Sequence, residues 1–217
     1  MEISIRHRQS YVKSQSDRPT CAAFATTAFH EYHVEVFLGC KPRCDLDLSE
    51  EFLYYFCKQI DGQKILGGTT IAAASSVLKK HGQCRELLFP YGVNSLTAPH
   101  PSANAILDAA TRLFGNLTLL RPDRQALETS LAKNLPLVAV TQWYSNSYLA
   151  PKGRIEMPAI ADRHLGRHAI LIVGVSDESP EGYRISFKNS WGHKWGDAGF
   201  GSFGLDYFNA FCAELWG

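Results

Sequence analysis

The sequence predicts an α+β protein in which helices come first along the chain and strands come second. Mainly apolar stretches with helical spacing fill the first half, whereas short runs of β-branched and aromatic residues dominate after about residue 134. Helices followed by strands are typical of α+β folds. With 217 residues there is room for a substantial core, so we expect one domain of 1–217, with a helical half at about 10–92 and a mainly β half at 93–217.

Three helices are predicted in the first half, each with ordinary start or stop signals. The first covers residues 21–38, where the largely apolar sequence predicts a helix buried in the middle of the domain. The second begins after Ser49, a good N-cap residue, and Asp61-Gly62 ends it. The third covers Ile71–Lys80 and is preceded by two glycines.

The second half begins with a polar loop at 92–105 and continues with helices at Ala103–Leu113 and Arg124–Lys133. A second loop, rich in Tyr, Ser, Asn and Pro, is predicted from Trp143 to about Gly166. Strands are predicted at Asn134–Thr141, His168–Val175, Tyr183–Asn189 and Gly199–Phe203.

Cys21 follows a turn and opens the first helix. Pro19 disfavours helix before it, and Thr20 is a capping-type residue, so Cys21 falls in the first helical turn. Free N–H groups and the positive end of the helix dipole favour a thiolate there, and the thiolate is the nucleophilic form. Gln15, six residues earlier, has an amide that could act as an oxyanion donor. The alternative interpretation is a buried structural thiol, because free cysteines are common in cores.

A histidine and an asparagine are predicted at neighbouring strand ends. His168 begins an apolar strand, and Asn189 ends the next one, followed by Trp191. An Asn carbonyl can hold one imidazole N–H and so direct the other nitrogen at a thiol, while a neighbouring Trp shields that bond from water. Each residue alone is equally compatible with a structural role, but their order along the chain is very improbable by chance.

Taken together, these residues resemble the papain-like cysteine peptidases. The resemblance extends over nearly the whole chain, and Asn-Ser-Trp-Gly at 189–192 is highly specific. It is most similar to the bacterial branch, on the basis of the residues at 18–25 and 153–158. The matching positions are Gln15, Cys21, Ala25, 48–50, Gly67-Gly68, Pro90-Tyr91, His168-Ala169, 189–192 and Trp195-Gly196.

The resemblance implies a two-lobe fold, with Cys21 on the central helix of a helical left lobe and His168 and Asn189 on an antiparallel β-barrel-like right lobe. It implies that Cys21 is the nucleophile, His168 its base and Asn189 the residue that orients the base. Gln15 and the Cys21 backbone N–H would form the oxyanion hole. The implied activity is a cysteine-type endopeptidase that works through an acyl-enzyme thioester and needs no metal or organic cofactor.

The resemblance also implies where a peptide substrate binds. Gly67 and Gly68 would hold its backbone in an extended form. Thr70 and Gly166 would line the pocket for the second side chain before the scissile bond, and Trp191 is a further candidate for substrate binding.

Several positions depart from the family pattern. Ala22 replaces the Trp of the eukaryotic members, and Arg167 stands before His168 where many relatives have Asp. Arg18 and Thr20 occupy the region of a family cysteine, so that family disulfide cannot form. There is also no room before Gln15 for an inhibitory propeptide, so we expect either a domain cut from a longer chain or a fused or separate regulatory domain in place of the propeptide.

The remaining cysteines leave alternatives open. Cys40 and Cys44 form a C-x3-C loop, for which a disulfide or two unpaired thiols are favoured over a metal site, since no standard set of further ligands follows. Cys57 and Cys84 are a candidate pair from their positions in a helix and a loop, although sequence does not determine connectivity.

Composition indicates a globular protein with 45% hydrophobic and 20% charged residues. A net charge of +1 gives no reason to expect nucleic acid as a partner, and we find no signal-peptide core and no run that predicts membrane insertion. We therefore expect a cytoplasmic protein with a peptide or protein substrate. The alternatives are a peptide ligase or transpeptidase with the same site, and a non-catalytic pseudoprotease that only binds.

Overall fold

The computed structural model describes residues 2–37, 46–61, 67–92, 99–177 and 182–217. These residues form two compact units. The helical unit contains the described residues of 8–11 and 15–117, and the β unit contains those of 2–7, 12–14 and 118–217. Helices in one unit and a sheet in the other confirm the predicted α+β class. The helical unit extends beyond residue 92, the approximate end expected from the sequence, and includes the helix that follows.

Four helices form the helical unit, and side chains cap three of them. Ser49 accepts the Phe52 N–H at 2.9 Å, Thr70 accepts the Ala73 N–H at 3.1 Å, and Ser102 caps the last helix in the same way. The predicted second and third helices are thereby confirmed. The helices are α1 (Cys21–Phe37), α2 (Glu50–Ile60), α3 (Ile71–Lys80) and α4 (Ala103–Ala110).

Helix α1 is buried along most of its length, as its apolar sequence predicted, and its buried Thr27 and His30 find a partner within the helical unit. That partner is Gln83, which follows α3. Its Nε2 donates to Thr27 Oγ1 at 2.6 Å and to the Ser49 carbonyl at 2.9 Å, while its Oε1 lies 3.0 Å from His30 Nδ1. Gln83 thus connects α1, which carries Cys21, to the N-cap of α2.

Burial of His30 predicts a stability that falls with acidity. Burial lowers the pKa of His30 to about 4, although its hydrogen bond with Gln83 opposes this effect. The unfolded chain binds this proton near pH 6.5, more tightly than the folded protein. The contribution of His30 to stability is therefore full above pH 6.5 and is lost as the pH falls towards 4. In urea unfolding at pH 7 and pH 4.5, we expect a smaller drop for His30→Gln than for the native protein. An equal drop in both proteins would contradict this account.

The β unit is built on one eight-stranded sheet with two helices, α5 (Arg124–Ala132) and α6 (Leu205–Phe211). The strands are β1 (Glu2–Ser4), β2 (Leu119–Leu120), β3 (Leu137–Tyr144), β4 (Arg154–Ile155), β5 (His164–Ser176), β6 (Arg184–Lys188), β7 (Phe200–Gly204) and β8 (Cys212–Trp216). Their order in the sheet is β2-β8-β3-β5-β6-β7-β4, with β1 paired to β5. All pairs are antiparallel except β4 with β7.

Strand β3 runs three residues beyond the predicted end at Thr141, because Gln142, Trp143 and Tyr144 pair with the beginning of β5. Strand β5 accordingly starts at His164 instead of His168. The predicted loop between these strands is therefore shorter than expected. This extension matters for the site, since it brings Trp143 onto the sheet beside His168.

The cysteine pair suggested by the sequence does not form. Cys57 and Cys84 are both free, and burial raises the pKa of each thiol to about 12. They act as small buried side chains of the helical core instead. Cys40 and Cys44 lie outside the described residues.

Candidate active site

The segment before α1 places a thiol and an amide side chain close together along the chain. Cys21 is the first residue of the 17-residue helix α1, is partly exposed and forms no disulfide. The side-chain Nε2 of Gln15, a buried residue, donates to the Arg18 carbonyl at 2.7 Å. An amide nitrogen carries two hydrogens, so this bond leaves a second donor on Gln15. The positive end of the α1 dipole is a favourable place for a thiolate.

His168 and Asn189 are brought together in the β unit. His168 lies on β5 opposite Thr141, and Asn189 follows the last residue of β6. The distance from His168 Nε2 to Asn189 Oδ1 is 2.8 Å, and both residues are buried. Strand pairing between β5 and β6 therefore fixes the histidine and its partner in one layer of the sheet.

A backbone contact determines which tautomer of His168 this bond selects. The Ser190 N–H donates to the same Asn189 Oδ1 at 2.8 Å, so the oxygen of the amide must occupy this position. An oxygen there can only accept, which makes His168 Nε2 the protonated nitrogen. In the neutral ring, Nδ1 is then left with its lone pair and can take up a proton.

Aromatic rings surround this hydrogen bond. Trp143 lies 4.7 Å and Trp191 lies 5.3 Å from the His168 ring, centroid to centroid. Tyr148 stacks on Trp191 at 5.2 Å. The sequence predicted a shielding role for Trp191 but missed Trp143, which is almost completely buried. The sequence could have indicated that Trp143 lies on a strand, because Thr-Gln-Trp-Tyr at 141–144 is rich in residues that favour strands.

The turn after Asn189 requires its glycine. Gly192 has φ +75°, a conformation that residues with side chains rarely adopt. Its N–H donates to the Lys13 carbonyl at 3.1 Å, and Trp191 pairs with Ser14 in an isolated bridge. These contacts hold Trp191 in place beside His168.

The predicted substrate-binding residues are spread over both units. Tyr54 and Lys58 donate to the Gly67 carbonyl, and Lys58 Nζ donates to the Gly68 carbonyl at 2.9 Å. Thr70 is an exposed residue that caps α3.

Gly166 lies in the β unit, opposite Trp143 in the β3–β5 register, with φ +108°. No atom lies within 4 Å of the position a Cβ would take there, so the space at this glycine is open.

Arg167, which stands before His168 where many relatives have Asp, has a carboxylate partner. Its Nη1 lies 3.8 Å from Glu214 Oε1, and the side chain is largely exposed. Neither a metal-binding group of three or more His, Cys, Asp or Glu residues nor a helix of the length and apolarity needed to cross a bilayer is found within the described residues.

Comparison with known proteins places these features in one family. Residues 2–210 match the family model described as "Papain family cysteine protease". The chain is similar to xylellain, a cysteine protease from Xylella fastidiosa, with a TM-score of 0.87, 25% identity, and coverage of 99% of this chain and 84% of that chain. Bromelain from Ananas comosus, solved in complex with the E64 inhibitor, shares the fold, with a TM-score of 0.75, 20% identity, and coverage of 99% and 96%.

Among curated relatives, a viral cathepsin from Spodoptera litura multicapsid nucleopolyhedrovirus is 30% identical over 191 residues, covering 87% of this chain and 52% of the relative. The chain spans about half the length of the curated relatives it matches. The structural likeness confirms the papain-like fold predicted from the sequence, and xylellain supports the bacterial branch. Because the family model covers almost the entire chain, this protein belongs to the papain family of cysteine proteases.

Proposed function

We propose that the chain is an endopeptidase that cleaves peptide bonds with Cys21 as nucleophile, His168 as general acid and base, and Asn189 as the residue that orients His168. The observation that carries this proposal is the 2.8 Å bond between His168 Nε2 and Asn189 Oδ1. It selects the tautomer that a cysteine nucleophile needs. Family membership supports the assignment of Cys21, a partly exposed cysteine that begins α1 and forms no disulfide.

The proposed reaction proceeds in two stages. The Cys21 thiolate attacks the peptide carbonyl carbon, while His168 donates its Nδ1 proton to the leaving amine and an acyl-enzyme thioester forms. His168 then removes a proton from water, and the resulting attack releases the acid and restores the thiol. Throughout, the Nε2–H bond to Asn189 keeps the ring in one orientation and stabilises its positive charge.

The oxyanion of each tetrahedral intermediate would be stabilised by Gln15 and by the backbone N–H of Cys21. Gln15 has a donor hydrogen beyond the one that it gives to Arg18. Donors fixed in advance cost no reorganisation when the charge develops, and this is why such groups contribute strongly to catalysis. The buried position of Gln15 supports this role.

Gly67 and Gly68 would bind the backbone of an extended substrate. Lys58 donates to both glycine carbonyls and Tyr54 donates to that of Gly67, which gives this segment a defined position before α3. Thr70, Gly166 and Trp191 remain candidates for contacts with substrate side chains. The substrate is therefore proposed to be a peptide or an exposed segment of a protein.

Product masses test this proposal against the ligase alternative. The native protein is incubated with a mixture of unstructured peptides, with and without an excess of an amine acceptor. For an endopeptidase we expect paired fragments whose masses sum to the substrate plus one water, with or without the amine. Products that carry the amine in place of water would favour the ligase, and intact peptides would favour the pseudoprotease.

The redox compartment is part of the same proposal. Cys21, Cys57, Cys84 and Cys212 form no disulfide, and burial raises the pKa of Cys212 to about 12. Described cysteines that form no disulfide are compatible with a reducing compartment such as the cytoplasm.

A further inference from the structure

Arg18 is an unusually well-held side chain in the turn that leads to Cys21. Its guanidinium makes a two-pronged ion pair with Glu51 in the first turn of α2, in which Nη2 donates to Oε1 at 2.9 Å and Nη1 donates to Oε2. Nη1 also donates to the Gly92 carbonyl at 2.9 Å. The side chains of Arg18 and Glu51 are only 10% and 4% exposed, so the pair is largely removed from water.

Two tyrosines complete the surroundings of the guanidinium. It lies 4.6 Å from the ring centre of Tyr91 and 5.4 Å from that of Tyr54. Burial alone would lower the pKa of Arg18, but hydrogen bonding and charge from Glu51 outweigh this effect and raise it. The guanidinium therefore keeps its positive charge in this largely buried position.

The backbone of Arg18 also holds the side chain of Gln15 in place. The Arg18 carbonyl accepts the Gln15 Nε2–H at 2.7 Å, and the Arg18 N–H donates to the Gln15 carbonyl at 3.3 Å. Tyr91, under the guanidinium, donates its hydroxyl proton to the same Gln15 carbonyl at 3.0 Å. These three contacts of Gln15 thus involve Arg18 or the Tyr91 ring that Arg18 covers.

We propose that the Arg18–Glu51 ion pair is a positioning device for the oxyanion donor Gln15. Arg18 touches neither the substrate nor the reacting atoms in this account and acts only by holding the turn that carries Gln15. The inference rests on the proposed function and adds to it a second group of residues, Arg18 and Glu51, on which the rate of acylation depends.

Kinetic measurements distinguish a role of Arg18 in positioning Gln15 from a role in the stability of the protein. Oxyanion donors act on the transition state, so a misplaced Gln15 lowers kcat with little change in KM. Direct alkylation of Cys21 by iodoacetamide forms no oxyanion and should keep its native rate. A loss of stability alone would instead lower the amount of active enzyme and reduce both reactions together.

A double-mutant cycle with Gln15 tests the proposal. Gln15→Ala is expected to lower kcat by about 10²- to 10³-fold, and Arg18→Met by about 10- to 100-fold through misplacement of the donor. In the Gln15→Ala background, Arg18→Met should cause no further loss, because the group it positions is gone. The matched control is Arg112→Met. Arg112 makes a comparable double contact with Asp108 in the helical unit and should leave kcat unchanged.

The possible outcomes separate this inference from the proposed function. Fully additive losses in the cycle, or equal losses in kcat and in the rate of alkylation, would overturn the positioning role while leaving the peptidase intact. A native protein that does not cleave peptides would overturn both. If Arg18→Met does not fold, Glu51→Gln replaces it, since it keeps the shape of the partner and removes its charge. We expect the same lowered kcat and the same absence of a further loss in the Gln15→Ala background.

Discussion

Replacement of Cys21 with alanine is expected to abolish peptide hydrolysis, with a loss of about five to six orders of magnitude in kcat. Without the thiol no acyl-enzyme can form, and the remaining groups offer only the stabilisation of an attack by water. The measurement is the steady-state rate on a fluorogenic peptide at saturating substrate. Because Cys21 is partly exposed at the first position of α1, the smaller Ala should leave the free energy of unfolding nearly unchanged.

Cys212→Ala is the matched control for this variant. Cys212 is another free and partly exposed cysteine, but it lies at the start of β8, and burial raises the pKa of its thiol to about 12. Its removal should leave kcat unchanged. Substantial activity in Cys21→Ala, or an equal loss in Cys212→Ala, would contradict the assignment of Cys21 as nucleophile.

His168→Ala is expected to have an effect on kcat of similar size, at least about four orders of magnitude. The imidazole both protonates the leaving amine and activates water, so its removal affects both stages of the reaction. The bond to Asn189 Oδ1 at 2.8 Å is lost with it. The measurement is kcat on the same peptide, together with thermal unfolding to show that the sheet still forms.

His164→Ala separates the role of His168 from a general effect on its strand. Both histidines lie on β5, but His164 is exposed and its Nε2 lies 2.9 Å from Gln142 Oε1. We expect His164→Ala to keep a native kcat. If the two variants lose activity to the same extent, the sheet and not the imidazole would be responsible, and the assignment of His168 would fail.

The sequence determined the class of the fold and the chemical groups of the site because these signals are local. Ser49 and Thr70 each precede an apolar stretch and cap a helix by contacts within three residues. His168 and Asn189 were identified separately, each by its predicted place at a strand end, although His168 lies inside β5 in the structure. The register of β5 with β6 then brings them within hydrogen-bonding distance.

Features that depend on distant contacts could not be predicted. Trp143 belongs to the sheet only because β3 pairs with the early residues of β5, and the sequence alone ended the strand at Thr141. The pair between Arg18 and Glu51 joins residues 33 positions apart, and no spacing rule indicates it. Helix α6 and strand β8 were also missed, since they form by packing at the end of the chain.

The most direct test of the account is the intact mass of the protein after brief exposure to an epoxide-type cysteine-protease inhibitor, with Cys21→Ala alongside. An activated thiolate opens the epoxide much faster than an ordinary thiol does. We expect the native protein to gain the mass of one inhibitor molecule and the variant to gain none. An unlabelled native protein, or the same label on Cys21→Ala, would contradict the claim that Cys21 is the activated nucleophile of this chain.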